Sequence, residues 1–248
     1  MKRTVIAILS AMVLLCNLPS ASAQAQNLYD AEIYIPIEQM PDMVEWYGGP
    51  PSENSADFEY DKARYEWGKQ MRNDKERAEA AIRQVDNTIP GLCAEFSKPF
   101  GMTLSKEETP QIYRLLRDAV TNCVKTAIEP KMRYNRLRPF RYYNEDSLTP
   151  FQQEHLHDNG SYPSGHTLRG WCVALLLLEV NPAAQNELLK MGYMMGDSRL
   201  ICGVHWQSDV TASRLQASAA YARLHTDPRF CKQMKRAQRE FARKSRAK

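Results

Sequence analysis

Three separated stretches of this 248-residue chain carry residue types suited to phosphoryl chemistry: Lys131-x6-Arg138-Pro139, the run from Gly160 to Thr167, and Ser198-Arg199-x5-His205-x3-Asp209. Cleaving a phosphate ester needs a nucleophile, an acid for the departing oxygen, and positive charge spread over the transferring oxygens. Lys131, Arg138 and Arg199 supply the charge, His166 and His205 the proton and nucleophile chemistry, and Asp209 a carboxylate to orient a histidine.

Each stretch is weaker alone than in company. Lys131 and Arg138 are seven apart, nearly two helical turns, so a helical segment would project both from one face toward one anion. Pro139 would end that helix and restrict Arg138; two exposed surface cations are the simpler reading of the spacing by itself. Ser164 and Gly165 precede an apolar run, which places them at a helix N-terminus where unpaired N–H groups and the dipole favour an anion. Glycine there lets an oxyanion approach closely, and an ordinary capped helix with His166 as a polar first-turn residue is the competing reading. Asp209, four residues after His205 and expected on the same helix face, would accept the Nδ1 proton and leave Nε2 to attack. A surface His/Asp pair is the alternative. Co-occurrence decides for chemistry, and no Asp, Glu or Cys cluster has convincing metal-ligand spacing, so no metal or cofactor is expected.

The elements that must position these residues read as helices. Thr109-Pro110, Asn181-Pro182 and Asp227-Pro228 each place a capping side chain before a proline at the first helical position. The expected spans are Asp57 to Asn87, Pro110 to Ile128, a short helix leading to Arg138, Ser164 to Val180, Pro182 to about Asp197, Val204 to Leu224, and Pro228 to about Lys244. No alternating strand pattern competes, so the fold class is all-α, a single-domain helical bundle over 57–248. Residues 24–56, broken by Pro36, Pro41, Gly48, Gly49, Pro50 and Pro51, read as an N-terminal arm or loop. The polar and aromatic segment from Pro139 to Tyr162, with Arg141, Tyr142, Tyr143, His155 and His157, reads as a substrate-facing loop, although each of these two histidines by itself reads as surface.

Residues 1–23 have the form of a secretory signal: Lys2 and Arg3, an apolar run from Val5 to Leu15, and Ala21-Ser22-Ala23 before the expected cleavage. That run is too short for a membrane anchor, and no later stretch reaches the roughly 20 apolar residues of a span; Trp171 to Val180 reads as a buried core helix. The formal net charge of +4 falls to +2 when the signal leaves with Lys2 and Arg3, which excludes little. The tail from Arg229 to Lys248 carries nine Lys or Arg against Glu240 alone, and reads as a solvated helix face, with polyanion binding as the alternative. Of six cysteines, Cys93, Cys123, Cys172, Cys202 and Cys231 follow the signal, so an exported chain leaves at least one without an internal partner; Cys172, within an apolar run, is expected to be that one.

The three stretches resemble the signature of the type-2 phosphatidic acid phosphatase and vanadium haloperoxidase superfamily, and GSYPSGHT at 160–167 resembles that of its bacterial class A non-specific acid phosphatases. The likeness extends through ADFEYDKARYEWGK at 56–69, GWCVALLLLEVNP at 170–182 and ICGVHWQSDV at 201–210, and covers roughly 56–243. It implies that His205 is the nucleophile of a phosphohistidine intermediate, His166 the general acid and Asp209 the group orienting His205. Lys131, Arg138, Ser164, Gly165 and Arg199 are then the phosphate-binding residues.

The expected function is a periplasmic or secreted, metal-independent acid phosphatase that hydrolyses small-molecule phosphomonoesters with broad specificity. Transfer to an alcohol or nucleoside acceptor is an extension of the same chemistry. The resemblance further implies a homo-oligomer; no nucleic-acid partner and no membrane span are expected. Three other readings stand beside it. A vanadium haloperoxidase would use nearly the same cradle; a membrane lipid phosphatase lacks its spans here; a phosphate or polyanion binder would leave the two histidines and Asp209 without a reason.

Overall fold

The computed structural model describes residues 31–246; the expected signal segment lies outside them. The fold is all-α, and among the described residues no strand occurs. The α-helices are α1 Met43–Trp46, α2 Ala56–Met71, α3 Lys75–Arg83, α4 Ile89–Phe100, α5 Pro110–Lys125, α6 Ile128–Tyr134, α7 Pro139–Tyr142, α8 Gln153–His157, α9 Gly165–Val180, α10 Gln185–Ile201, α11 Gln207–Leu224 and α12 Pro228–Ser245.

Local signals explain most boundaries. Ser55, Asp74, Thr88, Ser164 and Asp227 each accept a backbone N–H from the first turn that follows, satisfying donors that have no intrahelical partner. The span expected from Asp57 to Asn87 is two helices, because the chain turns at 72–74 and Asp74 starts α3 anew. Of the three residue-before-proline caps, only Asp227 caps with its side chain. At α5 the buried Glu240 of α12 takes that role, accepting from Gln111 N at 2.9 Å and Ile112 N at 3.0 Å. Asn181 instead donates Nδ2 to Phe100 O at 3.0 Å.

Helix α9 carries the centre of the core. Its Leu168, Cys172, Val173, Ala174, Leu176, Leu177 and Val180 are buried, and it packs on α10, α11 and α5. A helix apolar on nearly every face belongs inside, so the reading of Trp171 to Val180 as core holds. The approach of α10 is set by Gly192, where a Cβ would stand 2.7 Å from the Cβ of Ala174. A core of this kind fixes side chains at helix ends because it is close-packed and resists small displacements.

The arm is not detached where it is described. Asn122, buried in α5, accepts from the N–H groups of Tyr34 and Ile35 at 3.0 Å each and returns a bond to Ile35 O at 2.8 Å. Cys172, expected to be the thiol without an internal partner, lies with its Sγ 3.3 Å from that of Cys123, and both are buried. Its apolar surroundings thus seat it against a second thiol across the α5–α9 contact. All five cysteines from Cys93 to Cys231 carry free thiols in the structure.

Candidate active site

The first cation pair does not form as spacing suggests. Helix α6 ends at Tyr134, Asn135 takes a left-handed conformation at φ 36°, and Arg138 is extended at φ −76°, ψ 152° as the residue before α7. Lys131 and Arg138 therefore share no helix face; they meet through the carbonyl of Gly160. Lys131 Nζ donates to Gly160 O at 2.9 Å and Arg138 Nη2 at 3.2 Å. Gly160 is required there, since a Cβ would stand 2.7 Å from Lys131 O and 2.9 Å from Asn135 Cα.

Arg138 is 2% exposed and spends its fork on backbone oxygens: Nε on Leu156 and Asn159, Nη1 on Val204 at 2.9 Å. The same Nη1 lies 3.1 Å from His205 Nε2. An arginine only donates, so Nε2 is the acceptor and carries a lone pair. On the other side of the ring, His205 Nδ1 lies 3.2 Å from Asp209 Oδ2, which fixes the tautomer with the proton on Nδ1.

That pairing also arises differently from expectation. Helix α11 starts at Gln207, with Trp206 as its N-cap residue, so His205 precedes the helix. Asp209, in the first turn, reaches back to accept Trp206 N at 2.9 Å as well as His205. Trp206 is 1% exposed and donates its indole N–H to Leu137 O at 2.8 Å. It thereby ties the Asn135–Arg138 segment to the start of α11.

Helix α9 supplies the N-terminal site. Ser164 is buried; its Oγ accepts from Thr167 Oγ1 at 2.9 Å, and its N–H donates to Asp209 O at 3.3 Å. The peptide between Tyr162 and Pro163 is cis. Over Gly165 a Cβ would meet nothing within 4 Å. The first-turn N–H groups of Gly165 and His166 have no intrahelical acceptor and face an approach that a side chain at 165 would narrow. His166 is half-buried, and its Nε2 donates to Val85 O at 3.0 Å, which leaves Nδ1 to exchange a proton.

Arg199 stands in the last turn of α10, which runs on to Ile201 rather than ending near Asp197, so Ser198 and Arg199 are helical. It is 1% exposed, donates Nη2 to Gln152 Oε1 at 3.2 Å, and has its buried Nε unpaired. A buried N–H without a partner costs roughly 1–3 kcal/mol; an anion at the site would satisfy it.

Charge and burial set the proton affinities. Burial, then Arg138, pushes His205 well below the ordinary imidazole value despite Asp209; burial, then Arg199, does the same to His166. Burial works to raise the Asp209 carboxyl, but Arg136 and then His205 outweigh it and hold it far below the usual carboxylate range. Burial, with Arg138 nearby, pushes the Lys131 ammonium down to about 7.

Similarity to known proteins fits this geometry. The PAP2 superfamily model matches residues 115–230, which carry all three stretches. A non-specific acid phosphatase of Providencia stuartii is 42% identical over 210 residues, 84% of this chain and 84% of the relative. The chain belongs to the class A non-specific acid phosphatases of the PAP2 superfamily. A second such acid phosphatase, from Salmonella typhimurium, is 34% identical over 77% of each chain. An acid phosphatase of Zymomonas mobilis is 32% identical over 77% of this chain and 72% of its own.

Within this class A phosphatase, sequence reasoning missed two parts of the site. One is the Gly160 carbonyl that gathers Lys131 and Arg138. The other is Arg136, whose Nη1 donates to Asp209 Oδ1 at 2.6 Å and whose Nη2 donates to Asp61 Oδ2 at 2.7 Å. The signal for Arg136 was its place two residues before Arg138, but its carboxylate partners lie 73 and 75 residues away in the chain.

Proposed function

We propose that this acid phosphatase hydrolyses phosphomonoesters through a covalent phosphohistidine at His205, without a metal ion. The observation that carries the reading is the state of the His205 ring: Nδ1–H directed to Asp209 and a lone pair on a buried Nε2 beside Arg138, with Lys131 close enough to act on the ring electrostatically. His205 Nε2 attacks phosphorus, the ester P–O bond breaks, and the departing oxygen takes the proton from His166 Nδ1. Water then attacks, His166 Nδ1 accepts its proton, and the P–N bond electrons return to His205. Lys131, Arg138 and Arg199, with the Gly165 and His166 N–H groups, disperse the charge on the transferring oxygens.

Burial disfavours a charged His166 in the protein alone. The acid therefore gains its proton when the substrate brings negative charge into the site, a demand met best at acid pH, where the ester monoanion itself carries a proton. Broad specificity is supported by the relatives named non-specific acid phosphatases; the cavity of about 370 Å³ beside Lys131 and Gly160 mixes the exposed Ile128 and Met132 with Asn135, Asp158 and Asn159, and His166, Arg199 and His205 do not line it.

The signal-like residues 1–23 support export to the periplasm or medium, and no helix among the described residues is long and apolar enough to cross a membrane. Transfer to an acceptor hydroxyl in place of water and assembly into a homo-oligomer complete the reading.

The test is phosphate release from p-nitrophenyl phosphate at acid pH with chelator present, alongside quenched-flow trapping of an acid-labile, alkali-stable phosphoenzyme. Turnover that survives chelator and a phosphoenzyme absent from His205→Ala are expected. Turnover abolished by chelator, or phosphate trapped on another residue, would overturn the mechanism. Light scattering on the purified protein reads the assembly state.

A further inference from the structure

Asp209 is not the end of the chain of contacts behind His205. Its Oδ1 takes Arg136 Nη1 at 2.6 Å, and the other arm of that guanidinium takes Asp61 Oδ2 at 2.7 Å. Asp61 lies in α2, while Arg136 sits between α6 and α7 and Asp209 in α11. All three side chains are nearly inaccessible, at 1%, 8% and 0% exposure. Ser208 joins them: its Oγ accepts from Arg136 Nη1 at 2.7 Å and donates to Asp61 Oδ2 at 2.6 Å, and its N–H donates to Asp61 Oδ1 at 2.7 Å. Asp61 thus receives an N–H donor at each oxygen, Ser208 N at Oδ1 and Arg136 Nη2 at Oδ2, the partners of a carboxylate, while burial works the other way and pushes its carboxyl up. The guanidinium is enclosed by aromatic rings, with its carbon 5.4 Å from the Trp206 centroid and 5.8 Å from that of Phe58.

We infer that Arg136 is a positioning residue that sets the basicity of His205 by dividing its charge between Asp209 and Asp61. A lone carboxylate beside a histidine stabilises the imidazolium and would keep the nucleophile protonated at acid pH. A cation on the far side of that carboxylate cancels much of the effect. Asp61 then decides how much of the cation Asp209 receives. The reaction needs this poise, since an acid phosphatase must keep His205 neutral where the medium is acidic.

The groups facing His205 from the surrounding elements are Arg138 and Lys131, which disfavour its protonation, Asp209, which favours it, and His166 of α9, which interacts electrostatically with it. Arg136 acts on this set only through Asp209, so its influence is separable from direct phosphate binding. The inference rests on the assignment of His205 as nucleophile only where activity is read.

The two ends of the relay make opposite predictions. Asp61→Asn leaves Arg136 to Asp209 alone, so the acid limb of kcat/KM should move to lower pH. Arg136→Met leaves Asp209 facing His205 without the cation, so the limb should move to higher pH. Each shift should be about one pH unit, the scale of one charge acting through a partly screened interior. In parallel, the His205 ring is titrated in the ligand-free enzyme by nitrogen-15 NMR, its signal assigned by its loss in His205→Gln. That measurement does not depend on which residue attacks phosphorus.

Opposite shifts in both readouts support the relay. Opposite NMR shifts with phosphate trapped elsewhere than His205 would uphold the relay and reject the nucleophile assignment. If both variants move the His205 titration the same way, or neither moves it, the inference fails and Arg136 is packing alone. Should Arg136→Met not fold, Asp61→Asn decides: a downward shift supports the relay, and an unchanged titration overturns it.

Discussion

Arg138 Nη1 sits 3.1 Å from His205 Nε2 while its other nitrogens are held by the carbonyls of Leu156, Asn159 and Gly160. The arginine is thus fixed by these oxygens of α8 and the loop after it, and by Val204 O, before any phosphate arrives, with one N–H directed at the atom proposed to attack. A planar fork can serve that many acceptors; an ammonium cannot. Arg138→Lys is expected to lower kcat/KM by about 10²- to 10³-fold, the usual loss for one aligned transition-state donor. Steady-state kinetics on p-nitrophenyl phosphate checks it, and a loss confined to KM would place Arg138 in ground-state binding only.

Lys131 has a different role in the pH profile. Burial and Arg138 push its ammonium down to about 7, so it is charged below that value and neutral above it. Phosphate inhibition should weaken as pH rises through 7, and Lys131→Arg should remove part of that weakening by keeping the charge. Inhibition constants for inorganic phosphate from pH 5.5 to 8.5, compared between the two proteins, test this. Identical profiles would mean that Lys131 does not contact the anion.

Acid stability follows from the same burial. The folded-state values of His166 and His205 lie well below the ordinary imidazole value, so the unfolded chain binds protons first as pH falls. Their contribution is complete above about pH 6.5, the unfolded value, and is lost as pH falls toward the folded values. Urea unfolding between pH 7 and 5 should show stability dropping with a slope of up to about 1.4 kcal/mol per pH unit for each histidine. His166→Gln should flatten that slope, and an unchanged slope would show that His166 titrates normally in the fold.

Gly165 separates folding from binding. A Cβ there would meet nothing within 4 Å, so Gly165→Ala should fold normally, with stability raised by about 0.4–1 kcal/mol through loss of chain entropy in the unfolded state. Its methyl would stand where an anion must approach the first-turn N–H groups, and phosphate affinity should fall about tenfold or more, a penalty of at least about 1.4 kcal/mol. Calorimetric titration with phosphate decides: full affinity would place the anion elsewhere.

Far from the site, Glu240 receives the Gln111 and Ile112 N–H groups through one oxygen, Oε2. Glu240→Ala leaves the start of α5 without that acceptor and should cost about 1–2 kcal/mol, the range for loss of a helix cap. Chemical denaturation measures it, with kcat expected to stay near wild type because Glu240 touches none of the proposed catalytic groups. A stability change below about 0.5 kcal/mol, the range of ordinary surface substitutions, would show the cap to be dispensable.

The chain's own pattern determined what repeats locally. Apolar density from Trp171 to Val180 specified a buried helix, Ser164 and Asp227 specified where helices start, and the types of the three stretches specified phosphate chemistry, because propensity, capping and residue chemistry act over a few residues. The sequence pattern does not mark helix α4 because Pro90, Gly91 and Pro99 break it; Pro90 and Gly91 stand in its first turn, where proline removes no intrahelical N–H bond, whereas Pro99 lies inside the helix and forgoes one. Only the tertiary structure decided how the site is assembled. Asn135 breaks the helix that spacing alone would run from Lys131 to Arg138, and Gly160, from a loop after α8, brings the two cations back together. Asp61 of α2 reaches Arg136 of the segment between α6 and α7 across 75 residues, with Ser208 of α11 bonded to both, a meeting of three elements invisible to any local period. Helix starts and reactive residue types are short-range properties of a sequence; the meeting of carbonyls, carboxylates and cations from distant segments depends on the packing of the whole core.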